Sequence, residues 1–192
     1  SLKKIIIKNI NKNCDVVISD FNHGLFNNEI AKFISNNYKN RYSLMSQINS
    51  SSKNFGNLAN FVNPLIIVIN RNELNHEIRE SDLSLEEKCK KLCYQSKSKY
   101  IMVTLGSEGT YLFDKKTNEG TLMPSYKNNS IVDRVGSGDA VFSVASYLFK
   151  NNIDKYLALI GCAVAGFYAI GYDANENKID EDIINKNITN II

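Results

Sequence analysis

Short apolar runs alternate with amphipathic stretches along most of the chain. The runs lie at residues 15–20, 42–48, 65–69 and 100–105, and polar residues follow each of them. Apolar residues at helical spacing occur between the runs, at 27–38, from after residue 73 to about residue 80, and at 84–96. Strands that are continuously apolar are typical of a parallel sheet covered by helices on both faces. The pattern therefore predicts an α/β fold with a mostly parallel sheet.

Further elements are predicted before, between and after these runs. They are a weak helix over 2–12, a short helix at 58–62, a hairpin from 110–113 and 120–124, and an apolar pair at 131–132. A helix is predicted from the glycine motif at 136–139 to about residue 150, and a last one over 180–192. The stretch 155–170 has a helical pattern rich in small residues, which favours close packing against a neighbour. We see no repeat or interior linker and expect one domain over 1–192.

Composition excludes several classes of function. The 192 residues are 43% hydrophobic and 22% charged, with a formal net charge of +3. That charge is too small to indicate binding to nucleic acid or to a membrane surface. No apolar run is long enough to span a membrane, and the first residues do not resemble a signal peptide, so we expect a cytoplasmic protein. Cys89 and Cys93 lack further ligands for a metal site, which favours free buried thiols.

One loop carries the strongest chemical signal. Gly136, Ser137, Gly138 and Asp139 precede an apolar helical pattern, so their N–H groups lie at a helix N-terminus and can face an anion. A carboxylate beside a phosphate site suits proton transfer, and we interpret Asp139 as a general base for phosphoryl transfer. The alternative is an ordinary turn and helix start, where an acidic residue suits the helix dipole.

Polar side chains end several of the predicted strands. Ligands of open α/β sheets bind at the carboxyl ends of the strands. We therefore expect these polar groups to face one crevice. They are Asp20, Asn70, Glu73, Thr104 and the loop 136–139.

Four stretches together resemble a known family. Residues 133–140 read Asp-Arg-Val-Gly-Ser-Gly-Asp-Ala and resemble the Asp-Thr-Thr-Gly-Ala-Gly-Asp signature of ribokinase-like (PfkB) sugar kinases. Residues 70–73 match the Asn-x-x-Glu motif of that family, and 103–109 match its Val-Thr-x-Gly-x-x-Gly turn. Residues 19–24 resemble the Ser-Asp-Tyr-x-Lys-Gly of the branch that phosphorylates heptose phosphates and is often joined to a nucleotidyltransferase. The order and spacing of the motifs agree over 15–170.

The resemblance implies a three-layer α/β/α ribokinase-like fold, with ATP and Mg²⁺ as cofactors. Asp139 would take the proton of the sugar hydroxyl, while Gly136, Ser137 and Gly138 would offer N–H groups to the transferring phosphoryl. Three nucleotide-lining residues are implied, which are Thr104, Gly106 and Gly109. Asn70 and Glu73 would position phosphates and Mg²⁺, with Glu73 as the metal residue, and Asp133 also belongs to the cofactor-binding set. The alternative for Asn70 and Glu73 is a helix N-cap with an acidic first turn.

The sequence departs from the family pattern at several places. Arg134 stands where Thr is usual, His23 where Lys is common, and Cys162 begins the segment that replaces Asn-Ala-Ala-Ala near the adenine. The loop 47–56 replaces Asp-Pro-Lys, as in a variant subfamily whose kinase-like domain accompanies a nucleotidyltransferase. Residues 172–175 differ from the turn that can hold a monovalent cation, which leaves adenine recognition and a cation requirement open.

Two functional hypotheses follow from the resemblance. The first is an ATP-dependent kinase that acts on a sugar or sugar phosphate, of which this chain is the C-terminal, nucleotide-binding half, with the N-terminal part of the fold absent. The second is a non-catalytic kinase-like domain that binds a nucleotide or serves assembly in a sugar-nucleotide enzyme. A fused nucleotidyltransferase or a homo-oligomer is the partner that we expect. The isolated chain is expected to be inactive, because the sugar-binding half is missing.

Overall fold

Six strands form one mixed sheet in which sequence order and spatial order agree. The computed structural model describes residues 2–9, 13–47, 58–125 and 136–170. The strands are β1 (Val16–Asp20), β2 (Tyr42–Ser46), β3 (Ile66–Asn70), β4 (Tyr100–Thr104), β5 (Thr110–Asp114) and β6 (Glu119–Met123). The first four pair in parallel, and β5 and β6 continue the sheet as an antiparallel hairpin. The predicted parallel sheet and the predicted hairpin are both confirmed.

Six α-helices surround the sheet in the described part of the chain. They are α1 (Leu2–Asn9), α2 (Asn28–Asn37), α3 (Arg71–Glu77), α4 (Leu85–Ser96), α5 (Ser137–Lys150) and α6 (Lys155–Ile170). Short 3₁₀ turns occur at Leu58–Asn60 and Gly106–Glu108. The elements predicted at 131–132 and 180–192 lie outside the described residues. None of the described helices is long and apolar enough to cross a bilayer.

The strands bury side chains on both faces, which makes three layers. Ile67, Ile101 and Val103 point into a core shared with α2, α3 and α4. Their neighbours along the same strands, such as Val68 and Met102, point into a second core shared with α5 and α6. A strand that is buried on both faces needs apolar residues at every position, which explains the continuous runs in the sequence.

Capping residues define where several helices begin. Ser84 Oγ accepts a hydrogen bond from Glu87 N at 3.3 Å, and the Glu87 carboxylate accepts one from Ser84 N at 2.8 Å. This capping box satisfies N–H groups that have no partner within the helix. Asn27 caps α2 in a similar way through Ile30 N. The helix starts at 28 and 85 therefore follow from local sequence chemistry.

The small residues of α6 pack against α5, as the sequence predicts. A Cβ at Gly161 would lie 2.9 Å from Leu148, and one at Gly166 would lie 2.9 Å from Val141. Glycine at these positions lets the two helices approach closely. Because Val141 lies in the second turn of α5, α6 supports the end of α5 that begins at residue 137.

Candidate active site

A large cleft lies at the carboxyl edge of the parallel strands. Its volume is about 470 Å³, and the first turn of α5 forms one wall. The lining residues are Phe21, Met45, Gln47, Val68, Ile69, Asn70, Glu73, Thr104, Gly136, Ser137, Gly138 and Asp139. The expectation that Asn70, Glu73, Thr104 and the loop 136–139 face one crevice is confirmed.

Asp20 is wrongly assigned to this crevice by the sequence prediction. It does not line the cleft, and the residue is only 2% exposed. Its Oδ1 accepts a hydrogen bond from Asn22 N at 2.9 Å, while Phe21 reaches the cleft in its place. The reason is the strand pleat, because Asp20 lies on the same buried side of β1 as Ile18.

The glycine turn (residues 136–139) leads directly into α5. Gly136 is the N-cap residue, with φ of +87°, and no side chain caps the helix there. The N-terminal end of the helix dipole therefore faces the cleft without a capping carboxylate or hydroxyl, an arrangement that favours a bound anion. Asp139 is exposed at the third helical position and lines the same cleft.

A second, narrow cleft lies on the other side of the glycine turn. Its volume is about 60 Å³, and its lining residues are Thr104, Gly106, Gly109, Thr110, Ser125, Ser137, Gly138, Val141, Ala163, Gly166 and Phe167. The three residues predicted to line the nucleotide, Thr104, Gly106 and Gly109, are thus brought together. Thr104, Ser137 and Gly138 line both clefts, so they form the wall between them.

The β4–β5 turn (residues 105–109) requires glycine at its end. Gly109 has φ of +112°, and a Cβ there would lie 2.0 Å from the backbone oxygen of Met123. The turn closes on itself through hydrogen bonds from Leu105 N to Gly109 O at 2.8 Å and from Gly109 N to Gly106 O at 3.1 Å. The backbone of Gly109, which lines the narrow cleft, therefore lies directly against Met123 of β6.

Asn70 and Glu73 form a capping box at the start of α3. Asn70 Oδ1 accepts from Glu73 N at 2.9 Å, and Glu73 Oε2 accepts from Asn70 N at 2.9 Å. This is the geometry of the alternative that treats the pair as a helix cap. Both residues nevertheless line the large cleft, so a cap and a ligand role are compatible in position.

The Glu73 carboxylate suits a hydrated magnesium ion. Glu73 lines the large cleft, and Mg²⁺ is usually held by one or two carboxylates with waters and substrate phosphates. A cage made wholly of protein ligands is not indicated, since the described residues contain no group of three or more His, Cys, Asp or Glu that could hold a metal. The donor set therefore fits an ion shared with a phosphate ligand.

Comparison with known proteins assigns the family. The model of the pfkB family carbohydrate kinases matches residues 29–169, which is well over half of the chain. The chain belongs to the pfkB family. No similar sequence was found among curated proteins.

Solved structures share the fold of this pfkB chain. Phosphofructokinase-2 from Escherichia coli in complex with potassium is 15% identical, with a TM-score of 0.74, and the match covers 90% of this chain and 55% of that one. Ribokinase from Thermotoga maritima is 16% identical, with a TM-score of 0.61 and coverages of 86% and 54%. The pfkB chain therefore spans about half the length of these structures. The ribokinase-like α/β fold is confirmed, while the resemblance to the heptose-phosphate branch stays a prediction.

Sequence reasoning missed part of the lining of both clefts in the pfkB chain. Phe21 and Gln47 directly follow β1 and β2, so their position after a strand was the available signal. Ser125 and Phe167 reach the narrow cleft from elements that are distant in sequence, and no local signal marks them. Asp133, Arg134 and residues 172–175 lie outside the described residues.

The cysteines of the pfkB chain are free, and three of the four are buried. Cys14 is exposed, whereas Cys89 and Cys93 are free and buried, as the sequence predicts. Cys162 lies in the core beneath α5 and does not line either cleft, whereas its neighbour Ala163 does. Burial raises the pKa of the Cys162 thiol from 9.0 to about 12, so the thiol is neutral at physiological pH.

One ion pair joins the two sides of the site. Arg71 Nη1 and Nη2 donate to Glu108 Oε1 and Oε2, each at 2.6 Å. The hydrogen bonds to Glu108 raise the pKa of Arg71, and Arg71 holds the pKa of the Glu108 carboxyl below its usual value. Arg71 follows Asn70 on the large-cleft side, and Glu108 lies in the β4–β5 turn of the narrow cleft.

Proposed function

We propose that this chain carries the nucleotide-binding and catalytic-base part of an ATP-dependent kinase for a sugar or sugar phosphate. One observation supports the proposal most strongly. Two clefts meet at a shared wall of Thr104, Ser137 and Gly138, at the uncapped start of α5. A phosphoryl group that passes from one ligand to another needs such an anion site between two binding sites.

The narrow cleft is the proposed site of the nucleotide, and the large cleft that of the acceptor. Gly106 and Gly109 line only the narrow cleft, while Asp139 lines only the large one. In this arrangement Asp139 accepts the proton of an acceptor hydroxyl while the oxygen of that hydroxyl attacks the γ-phosphorus of ATP. The bond between that phosphorus and the bridging oxygen breaks, and ADP leaves. The N–H groups of the glycine turn stabilise the charge on the transferring phosphoryl.

The magnesium ion is proposed to lie on the large-cleft side. Glu73 and Asn70 would hold it through water, with Glu73 as the carboxylate of the pair. When bound, the ion neutralises charge on the phosphates. The capping box keeps Glu73 oriented toward the start of α3, so the same contacts that begin the helix also fix the position of its carboxylate.

Replacement of the base tests the kinase proposal. In the full-length protein, Asp139→Asn should lower kcat by about 10²–10⁴-fold, because a positioned general base contributes that much. The affinity for Mg-ATP should stay close to that of the wild type, since Asp139 does not line the narrow cleft. Glu29→Gln is a matched control, because Glu29 is an exposed acid in the first turn of α2. Turnover equal to that of the control would refute the assigned role.

A second candidate is a non-catalytic kinase-like domain that binds a nucleotide or supports assembly. The observation in its favour is that Asn70 and Glu73 already satisfy each other as a helix cap. Calorimetry with Mg-ATP and assays with sugars and sugar phosphates separate the two. Nucleotide binding without turnover on any of these acceptors would favour the second candidate. A fused nucleotidyltransferase or a second copy remains the proposed partner.

A further inference from the structure

The Arg71–Glu108 ion pair has better geometry than most surface ion pairs. Two parallel N–H···O bonds of 2.6 Å connect the guanidinium with the carboxylate, although the side chains are 43% and 59% exposed. Single-contact surface pairs contribute little, whereas a two-pronged arginine–carboxylate pair adds geometric specificity. The pair connects residues that are 37 positions apart in sequence, so it fixes one segment relative to another.

The location of Arg71 is unfavourable for the helix that carries it. Arg71 is the first residue of α3, where the positive end of the helix dipole disfavours a cation. A partner carboxylate offsets this disadvantage, and here the partner comes from the β4–β5 turn. Two capping-box residues near Arg71 line the large cleft: Asn70, which precedes it, and Glu73, two positions after it.

The exposed middle of the β4–β5 turn has few contacts with other elements. Gly106, Ser107 and Glu108 are exposed, and their backbone bonds mostly close the turn. In the described part of the chain, Glu108 is the side chain of this turn that bonds to another element, and its partner is α3. Leu105 is buried in the core at one end of the turn, and Gly109 lies against Met123 at the other. Loss of the ion pair would therefore release the exposed middle of the turn, residues 106–108.

We propose that Arg71 and Glu108 are a positioning pair, which holds the β4–β5 turn in place for the nucleotide and so sets nucleotide affinity. This inference rests on the proposed function. The pair lines neither cleft, so it acts through Gly106, which lies two residues before Glu108 and lines the narrow cleft. The acceptor site is separated from the turn by the wall of Thr104, Ser137 and Gly138. Its affinity for the sugar should not depend on the pair.

A charge exchange in the full-length protein tests the inference. Glu108→Gln and Arg71→Gln should each raise the Kd and KM for Mg-ATP by about three- to fivefold, as expected for an exposed pair. Glu108→Gln should leave kcat and the acceptor KM unchanged, because Glu108 lines neither cleft. The double variant Arg71→Glu/Glu108→Arg should recover most of the affinity. Glu80→Gln is the control, because Glu80 forms an exposed ion pair with Lys91 and neither residue lines a cleft.

The outcomes separate this inference from the proposed function. A wild type that binds Mg-ATP but transfers no phosphate refutes the kinase proposal, while the ratios of Kd still test the pair. Single variants with the wild-type Kd overturn the pair alone. Tighter binding by Glu108→Gln, or no recovery in the double variant, also overturns it, since either result means that pairing of the two side chains does not set the affinity. A wild type that binds no nucleotide overturns both.

Discussion

Gly109→Ala should destabilise the protein much more than the same change at Gly106. The backbone of Gly109 has φ of +112° and ψ of −141°, a region that residues with a Cβ avoid. The added Cβ would lie 2.0 Å from Met123 O, 2.7 Å from Ser125 N and 2.8 Å from Pro124 C. All three atoms belong to the backbone, so no side chain can rotate to make room.

The expected loss has two parts. Backbone strain in this region costs about 1–3 kcal/mol. Displacement of Met123, which pairs with Thr110 at the end of the β5–β6 ladder, removes about one hydrogen bond and about 0.5–1.5 kcal/mol. The free energy of unfolding should therefore fall by about 2–4 kcal/mol. Gly106 has φ of +61°, and a Cβ there would meet no atom within 4 Å, so its change to alanine should cost about 1–2 kcal/mol.

Urea denaturation followed by circular dichroism measures both variants. Since m-values of small proteins are about 1–3 kcal/mol per molar urea, the midpoint of Gly109→Ala should lie roughly 1 M below that of Gly106→Ala. Both variants lose the conformational freedom of glycine, and only Gly109 meets another strand. Equal midpoints would refute the claim that the turn is packed against β6.

Two further predictions concern the second core. Gly166→Ala should lower kcat without changing the fold, because the added Cβ would meet the β-branched Val141 near the start of α5. Gly161→Ala should leave kcat unchanged, because its added Cβ would meet the flexible end of Leu148. Assays of the two purified variants compare the two values of kcat. Burial raises the pKa of the Cys162 thiol to about 12 in the folded protein, whereas its ordinary value in the unfolded chain is 9.0. The folded state therefore binds more protons than the unfolded state above pH 9. The free energy of unfolding should then fall by about 1.4 kcal/mol per pH unit for this group between pH 9 and 12, and Cys162→Ala should reduce that slope in denaturation curves measured across this range.

The layered fold could be predicted from the sequence because burial on both faces leaves a direct mark on each strand. Residues 65–69 are apolar at every position, and β3 is indeed buried on both faces. Helix starts were also predictable where a side chain makes the cap, as Ser84 does. Both features leave a pattern within a few consecutive residues, so they can be predicted without knowledge of the tertiary contacts.

Side-chain direction at a strand end was harder to predict. Asp20 was expected in the crevice because it ends an apolar run, yet the pleat turns it into the interior and Phe21 takes its place. A shift of one residue moves a side chain to the opposite face. Residues 70–73 illustrate a related difficulty, since one motif serves as a capping box and lines the cleft at once. Contacts such as Gly109 with Met123 depend on tertiary pairing, for which local patterns contain no signal.

The wall between the two clefts has a thermodynamic consequence. Thr104, Ser137 and Gly138 line both sides, so a ligand that orders them on one side changes the wall that the other ligand meets. Linkage makes such an effect reciprocal, because each ligand must alter the affinity of the other by the same factor. A ligand in the narrow cleft would thus change the affinity of the large cleft for its own ligand without any movement of domains. Cooperativity between two ligands would then depend on Thr104 at the end of β4 and on two residues at the start of α5.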